Sequence, residues 1–507
     1  MKETAILLMI ATVISKMLGF VREIVLANFY GISAIADAYK IALTIPGTIF
    51  AMIGAGIATG YIPMYSRIEK ESGLPKANRF TSNMINYVLV FCTIIVVVGL
   101  VFTIPIVKIF AVGFEGETLE VAVILTRFSI AGVYFTALVY IFSGYLNLKG
   151  KFMIPALVGI PMNIVVIIAI AISAKTNITI LGIGMFISLA VQILFLYPFI
   201  KKTGYRHKLF LDRKDEYLKK MAILAIPVII GISVNQINTI VDRTIASTIS
   251  EGAIAALDYA VKLNGFVQGI FVMSIATAMY PLISKMGAEN NLDGLKKSLN
   301  EAIVSVSLLV IPATIGFMVF AEPIVSILFK RGKFDQEAVV ITGGVLFFYS
   351  IGMIGYGLRE VISKAFYSVQ DTKTPMINAA FAVVLNIVLS ITLSRFMGIN
   401  GLAIATSTAG IVCTITLSWS LKKKIGSIGF KNIVSSMVKI LIASIIMGVV
   451  AKLSYAGLCL ELGDKISLII AIIVACIVYF IIVYLMRINE VTSIISGIKS
   501  KFNKKIR

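Results

Sequence analysis

Charged residues are scarce: Asp, Glu, Lys and Arg make up 14% of the 507 residues, against 59% hydrophobic. Mean hydropathy is +0.98. A soluble domain cannot hide that much apolar surface, whereas lipid-facing side chains in a bilayer need no core. Histidine is nearly absent. The single one, His207, lies in a basic loop, which favours a structural or solvated role over catalysis. There are four cysteines, Cys92, Cys413, Cys459 and Cys476, and three of them lie inside apolar runs. Without a CxxC or Cys/His spacing, neither a disulfide framework nor a zinc site is expected. No nucleophile–base set, acidic metal cluster or glycine-rich phosphate loop is visible, so the chain does not read as an enzyme. Acids are outnumbered 25 to 46, leaving a formal net charge of +21. The bases sit in short loops between apolar runs, so the excess reads as cytoplasmic loops and not as a nucleic-acid surface.

What is present is a long series of apolar runs. A span needs about 20 mostly apolar residues. The runs predict helices over 4–29, 34–66, 80–112, 118–148, 153–174, 178–200, 221–249, 253–284, 299–321, 337–367, 375–396, 400–421, 432–456 and 465–487. The first is expected to stay in the membrane, because no small-x-small cleavage site follows its apolar stretch. Loops after even-numbered spans, with the termini, hold roughly 30 Lys and Arg, and loops after odd spans roughly 8, which puts both termini in the cytoplasm. The loop after span nine runs against this trend, with Lys330, Arg331 and Lys333 on the outer side. Residues 488–507 place Val491, Ile494, Ile495, Ile498 and Phe502 on one helical face among lysines. They read equally as an amphipathic helix on the inner leaflet or as a frayed basic tail.

The chain repeats itself. At a shift of 221 positions Arg22 falls on Arg243, Gly31 on Gly252, Ala34 on Ala255 and Asp37 on Asp258. Lys151 and Pro155 before span five mirror Lys373 and Pro375 before span eleven. The shift spans six helices, an even number, so the two halves have the same orientation. The expected organisation is an all-α polytopic membrane protein of about 14 helices. It comprises an N-lobe (1–204), a basic cytoplasmic linker (205–220), a C-lobe (221–424), two extra helices (425–487) and a basic tail (488–507). Two like lobes favour rocking alternating access over a channel, for which no filter or charged ring is visible.

Ionisable residues at membrane depth cost roughly 2.5–3.5 kcal/mol each and face a wet cavity or a partner. They include Lys16, Arg22, Glu23, Asp37, Lys40, Asp242, Arg243, Asp258, Lys262, Arg359, Glu360 and Lys364. The duplicated Arg/Asp set reads equally as ion pairs between helices, and Asp37, Lys40 and Lys364 as groups snorkelling to an interface. Lys16 and Lys262 lie near mid-helix with no carboxylate three or four residues away. Cations gathered in a cavity point to an anionic substrate, with phosphate or diphosphate the natural choice.

The same residues carry a family resemblance. Ser15-Lys16-Met17-Leu18-Gly19-Phe20-Val21-Arg22-Glu23 resembles the first-helix S-R-x-L-G-F-x-R-D signature of the MurJ lipid II flippases. Ala36-Asp37-Ala38-Tyr39, Val241-Asp242-Arg243-Thr244, Tyr259-Ala260-Val261-Lys262-Leu263 and Gln370-Asp371-Thr372-Lys373-Thr374-Pro375 continue it in order. The resemblance implies the fourteen-helix fold of the MOP superfamily and no enzymatic conversion. It implies translocation of lipid II, a peptidoglycan precursor, by a multi-pass monomer in a bacterial inner membrane. It implies that Arg22 serves the lipid diphosphate, with Lys16 and Lys262 at further cationic positions and Glu23 and Asp37 at acidic ones. Lysine at two arginine positions keeps charge but loses the bidentate fork. Phe50 stands where the family commonly has arginine, and Ala55 where it has glutamate. These departures keep another polyprenyl-diphosphate-linked glycan open as substrate. A cation-coupled small-molecule exporter of the same superfamily is the further alternative. Some family members bind sodium, and Asp242, Asn386, the Leu402 carbonyl and Thr406 match those ligands, with Ser390 in place of a further carboxylate. One carboxylate with neutral oxygens suits Na⁺, and a simple Asp242–Arg243 pair is the competing reading.

Overall fold

A computed structural model describes residues 2–289, 291–488 and 491. Apart from 488 and 491, the expected basic tail lies outside the described residues. The described residues are mostly helical, with eleven helices long and apolar enough to cross a membrane, or twelve when one bent pair counts as a single span. Two compact units emerge: Met1–Ala255 with Arg331–Asp335, and Ala256–Lys330 with Gln336–Arg507.

In the first unit α1 runs over Lys2–Tyr30 and α2 over Ala34–Gly56, where the Ser33 hydroxyl caps α2 by accepting from the Ala36 N–H at 3.4 Å. A π-helical turn, Ile57–Tyr61, leads into α3 (Ile62–Ser72). Then follow α4 (Leu74–Val101), α5 (Thr103–Phe110), α6 (Gly116–Ala131), α7 (Val133–Leu148), α8 (Met153–Leu157), α9 (Gly159–Ser173), α10 (Ile178–Lys201) and α11 (Glu216–Ile249). α11 packs on α2, α4 and α5. The compact unit therefore extends past the linker to Ala255, whereas the sequence repeat divides the chain before α11. Packing and repetition are different properties and need not share a boundary.

Helix α12 (Ala253–Val267) begins in the first unit and continues into the second. There a π-helical turn (Gln268–Val272) precedes α13 (Met273–Ala288), α14 (Leu292–Val319), α15 (Ala321–Phe329), α16 (Gln336–Ile351), α17 (Met353–Ser368), α18 (Lys373–Met397), α19 (Ile399–Ile425) and α20 (Phe430–Leu485). α20 is not one rod: Gly463, at φ 71° and ψ 163°, breaks it. Both of its arms pack on α14. Ile440, Ala443 and Met447 meet Val304, Leu308 and Ile311, and the Tyr479 hydroxyl donates to the Leu308 carbonyl at 2.7 Å.

Backbone irregularities recur at a shift close to 220 residues. Gly31 and Gly252 both have positive φ, as do Gly150 and Gln370. Phe102 and Phe320 end α4 and α14 in nearly the same conformation, and Gly132 and Gly352 divide the α6–α7 and α16–α17 pairs alike. A π-helical turn interrupts the second helix of each half. The extra backbone carbonyl of a π turn marks sites of function or strain more often than chance.

Candidate functional site

Arg22 and Glu23 are adjacent on α1, and Lys40 lies in the second turn of α2. Arg22 Nη2 donates to Glu23 Oε1 at 2.8 Å, and the Lys40 ammonium donates to Glu23 Oε2. Glu23 and Lys40 are 2% and 3% exposed, too deep for either to carry its charge alone. Two cations thus meet at one carboxylate. Of the readings open for Lys40, the inward, paired one holds: it turns to that carboxylate rather than to an interface. Arg22 also lines a cavity of about 170 Å³ with Pro46, Phe50, Tyr140 and Ser188. The rings of Phe50 and Tyr140 stack there with centroids 6.4 Å apart. An aromatic wall thus occupies the position where a further arginine was expected on family grounds.

Asp37 lies 1% exposed in the first turn of α2 and is engaged elsewhere. Its two oxygens accept from the Gly252 N–H at 2.8 Å and the Ala255 N–H at 2.7 Å. Glu251 accepts in return from the Ala34 N–H at 2.9 Å. Each carboxylate satisfies N–H groups that the first turn of the other helix leaves unbonded, where the helix dipole also favours negative charge. Gly252, at φ 80°, has no room for a side chain: a Cβ there would lie 2.4 Å from the Ile32 carbonyl oxygen. Asp37 is therefore held as a cap, not as a group reaching an interface.

Lys16 sits on an exposed side of α1, beside exposed Val13, Ile14 and Met17. In the second unit Lys262 is exposed on α12. Lys364 meets Glu360 at 3.3 Å and stands over the Tyr280 ring. The expected cation ligands divide between the units. Asp242, partly buried on α11, accepts from Asn238 Nδ2 at 3.3 Å. On α18 and α19, Asn386 Nδ2 donates to Thr406 Oγ1 at 3.0 Å, and that hydroxyl donates to the Leu402 carbonyl at 3.0 Å. Ser390 Oγ donates to Asn386 Oδ1 at 3.3 Å. These three ligand positions form one set of neutral oxygens, a donor chemistry that fits a monovalent hard cation. No three His, Cys, Asp or Glu side chains converge among the described residues, as a transition-metal site would require.

Sequence reasoning passed over one polar group. Ser82, Asn83 and Asn86 are buried on α4 and hold the segment 205–215 against it. Asn86 Nδ2 donates to the Lys208 and Phe210 carbonyls at 2.9 and 2.8 Å. Asn83 donates to the Asp212 carbonyl at 3.2 Å and to Asp215 Oδ2 at 3.0 Å, and accepts from the Asp212 N–H at 2.9 Å. The available signal was the spacing of three small polar residues, one helical turn long, at the head of an otherwise apolar run.

Comparison with known proteins adds the family. The model of the family described as "Lipid II flippase MurJ" matches residues 26–485. A probable lipid II flippase MurJ of Vibrio cholerae serotype O1 is 30% identical over 423 residues, covering 81% of each chain. One from Bdellovibrio bacteriovorus is 25% identical over 503 residues, 97% of this chain and 96% of its own. Among solved structures, a lipid II flippase MurJ in an inward closed conformation superposes with a TM-score of 0.81 at 28% identity, covering 95% of this chain and 98% of its own. An inward-facing MATE-family multidrug transporter of the MOP superfamily reaches 0.71 at 14% identity, covering 84% of this chain and 98% of its own, a likeness of fold alone.

Proposed function

The chain belongs to the lipid II flippase MurJ family, and from that membership we propose that it moves lipid II from the inner to the outer leaflet of a bacterial inner membrane. The observation that carries the reading is the family match over residues 26–485. Arg22 supports it from the geometry: its guanidinium lines a cavity and is held there by the buried Glu23 carboxylate. A diphosphate is the ligand such a charge recognises. Transport here means translocation without a bond made or broken in the substrate.

The finer reading is that Lys16, Arg22 and Lys262 neutralise the diphosphate, with Glu23 holding Arg22 in place. Asp37 acts beside them by fixing the start of α12. The carrier works as a monomer by alternating access, with both termini in the cytoplasm. Fourteen spans follow when the 29-residue α1 is added to the twelve and α20 is divided at Gly463. Sodium is proposed as the coupling ion, with Asp242, Asn386, the Leu402 carbonyl and Thr406 as its ligands. Its role would be to supply positive charge where one carboxylate and neutral oxygens otherwise stand.

Complementation tests the reading. The chain is expressed in a bacterium depleted of its own lipid II flippase, and outward exposure of lipid II is assayed with Arg22→Ala and Lys262→Ala alongside. Rescue that both substitutions abolish, at normal protein levels, is the expected result. Absence of rescue by well-inserted protein would redirect the substrate to another polyprenyl-diphosphate-linked glycan. Rescue that neither substitution touches would remove the residue assignments and leave the substrate standing.

A further inference from the structure

The segment 205–215 is a strap, not a solvated loop. Its backbone is bonded to three buried side chains of α4, so its side chains are presented in a fixed order. Tyr205 turns inward to Ser82 at 2.9 Å. Arg206, Lys208, Phe210 and Asp212 alternate with the period of an extended chain, and all four line one wall of a cleft of about 950 Å³. From α3, the head of α4 and the head of α11 the lining adds Arg67, Lys76, Arg79 and Lys220. Six cations face three acids, Asp212, Asp215 and Glu216, in that lining. Some of this charge is already partnered. Arg67 bonds Glu71 at 2.7 Å, Arg79 stands 4.0 Å from Asp212 and over the Phe210 ring, and Lys220 lies 3.8 Å from Glu216. Arg206 and Lys208, both exposed, are the cations that the strap itself contributes.

Two further observations say where this wall stands. Leu209 and Leu211, the strap residues of the other alternation, are 87% and 52% exposed. The strap reaches its deepest point on α4 at Asn86, which bonds the carbonyls on either side of Leu209. The apolar run of α4 begins at the next residue and continues to Val101. A head-group boundary at the start of that run would put Leu209 against the hydrocarbon, with Arg206 and Lys208 beside it. Such a pairing of inserted apolar side chains with basic ones is how peripheral segments hold anionic lipid.

We propose that the strap and its cleft bind the phosphate of an anionic phospholipid on this face of the membrane. Leu209 and Leu211 sit among the acyl chains, and Arg206 and Lys208 sit on the phosphate. The site is separate from the Arg22 cluster and does not depend on which lipid-linked glycan is carried.

The test places a fluorescent reporter in the strap. Trp419 is the only tryptophan, so Leu209→Trp in a Trp419→Phe background reports one position, and Leu211→Trp gives a second reporter should the first perturb folding. Full-length protein is reconstituted in bilayers containing brominated phosphatidylglycerol or, at equal mole fraction, brominated phosphatidylcholine. Stronger quenching by the anionic lipid is expected. Arg206→Gln and Lys208→Gln should each lower that preference about fivefold, the effect of one basic residue near an anionic surface. Equal quenching by both lipids, unchanged by either substitution, would overturn the site. Absence of quenching by either lipid would overturn the interfacial placement of the strap. Loss of the preference on adding millimolar inorganic phosphate would show a site for soluble phosphate and overturn the lipid assignment.

Discussion

Glu23 illustrates how much a single buried carboxylate can determine. It serves Arg22 and Lys40 at once, and neither it nor Lys40 reaches solvent. Removing one member of a buried ion set leaves the others charged without compensation, at a cost of about 3–5 kcal/mol. Glu23→Gln should therefore lower the thermal unfolding temperature in detergent sharply. Unchanged stability in the single variant would mean the pair is not desolvated. Arg22→Ala should lose far less stability than Glu23→Gln, since Glu23 keeps Lys40, and its deficit should be in flipping. Adjacency of Arg22 and Glu23 is plain in the sequence. The inward turn of Lys40 is not, because a lysine near a helix end snorkels or pairs according to what lies across from it, and Glu23 comes from another helix.

A second carboxylate, outside the spans, carries a pH dependence. The Lys424 ammonium at 2.5 Å, with the Thr374 N–H, holds the Asp371 carboxyl down at about 2. A free aspartate titrates near 3.9. A depressed carboxyl contributes stability that is complete above the unfolded value and is lost as pH falls through the folded one. The stability gap between wild type and Asp371→Asn should thus stay constant from about pH 8 to about pH 5 and close below about pH 4. Urea titrations at several pH values measure it, and a gap that varied near neutrality would contradict the pairing.

Among elements, the strap shows what sequence patterning reaches and where it stops. Its basic composition gives the expectation of a cytoplasmic linker over 205–220, which rests on charge alone. Its fixed backbone depends on Asn83 and Asn86, whose partners lie more than 120 positions away. Periodicity reports which face of α4 is polar, but it does not name what covers that face. Each bond to the strap is worth about 1 kcal/mol, and a buried amide left without its partner costs more than the bond itself. Asn86→Leu removes two bonds and buries an apolar group of similar size, so α4 should stay folded while the strap loosens. Trypsin should then cut after Arg206 or Lys208 many times faster, with the rest of the chain still resistant. Equal cleavage rates would mean that Asn83 and Ser82 alone hold the strap. The repeat was legible in the same partial way. Gly31 and Gly252 were matched as letters, and the structure adds the reason for that match: both are turns with positive φ at which no side chain fits.

At the scale of the whole molecule, helix length against bilayer thickness decides the count of spans. α20 covers 56 residues. At 1.5 Å per residue a continuous helix of that length would reach roughly 84 Å, against a hydrocarbon core of about 30 Å. It must therefore turn, and Gly463 is the residue whose backbone leaves the helix. The arms flanking it, 430–462 and 464–485, are each long enough to cross once, and both rest on α14. On the proposed orientation, with both termini in the cytoplasm, Gly463 should stand outside, together with Gly116 and Gly398, while Gly204 and Gly426 should stand inside. The test replaces the four native cysteines and introduces one cysteine at a time at these glycines, followed by labelling of intact cells with a membrane-impermeant thiol reagent. Gly463→Cys, Gly116→Cys and Gly398→Cys should label in intact cells, and Gly204→Cys and Gly426→Cys only after permeabilisation. If Gly463→Cys labelled only after permeabilisation while the other four behaved as expected, α20 would enter the membrane from the cytoplasm and return without crossing. The chain would then have twelve full spans, and the last two helices would be a re-entrant pair.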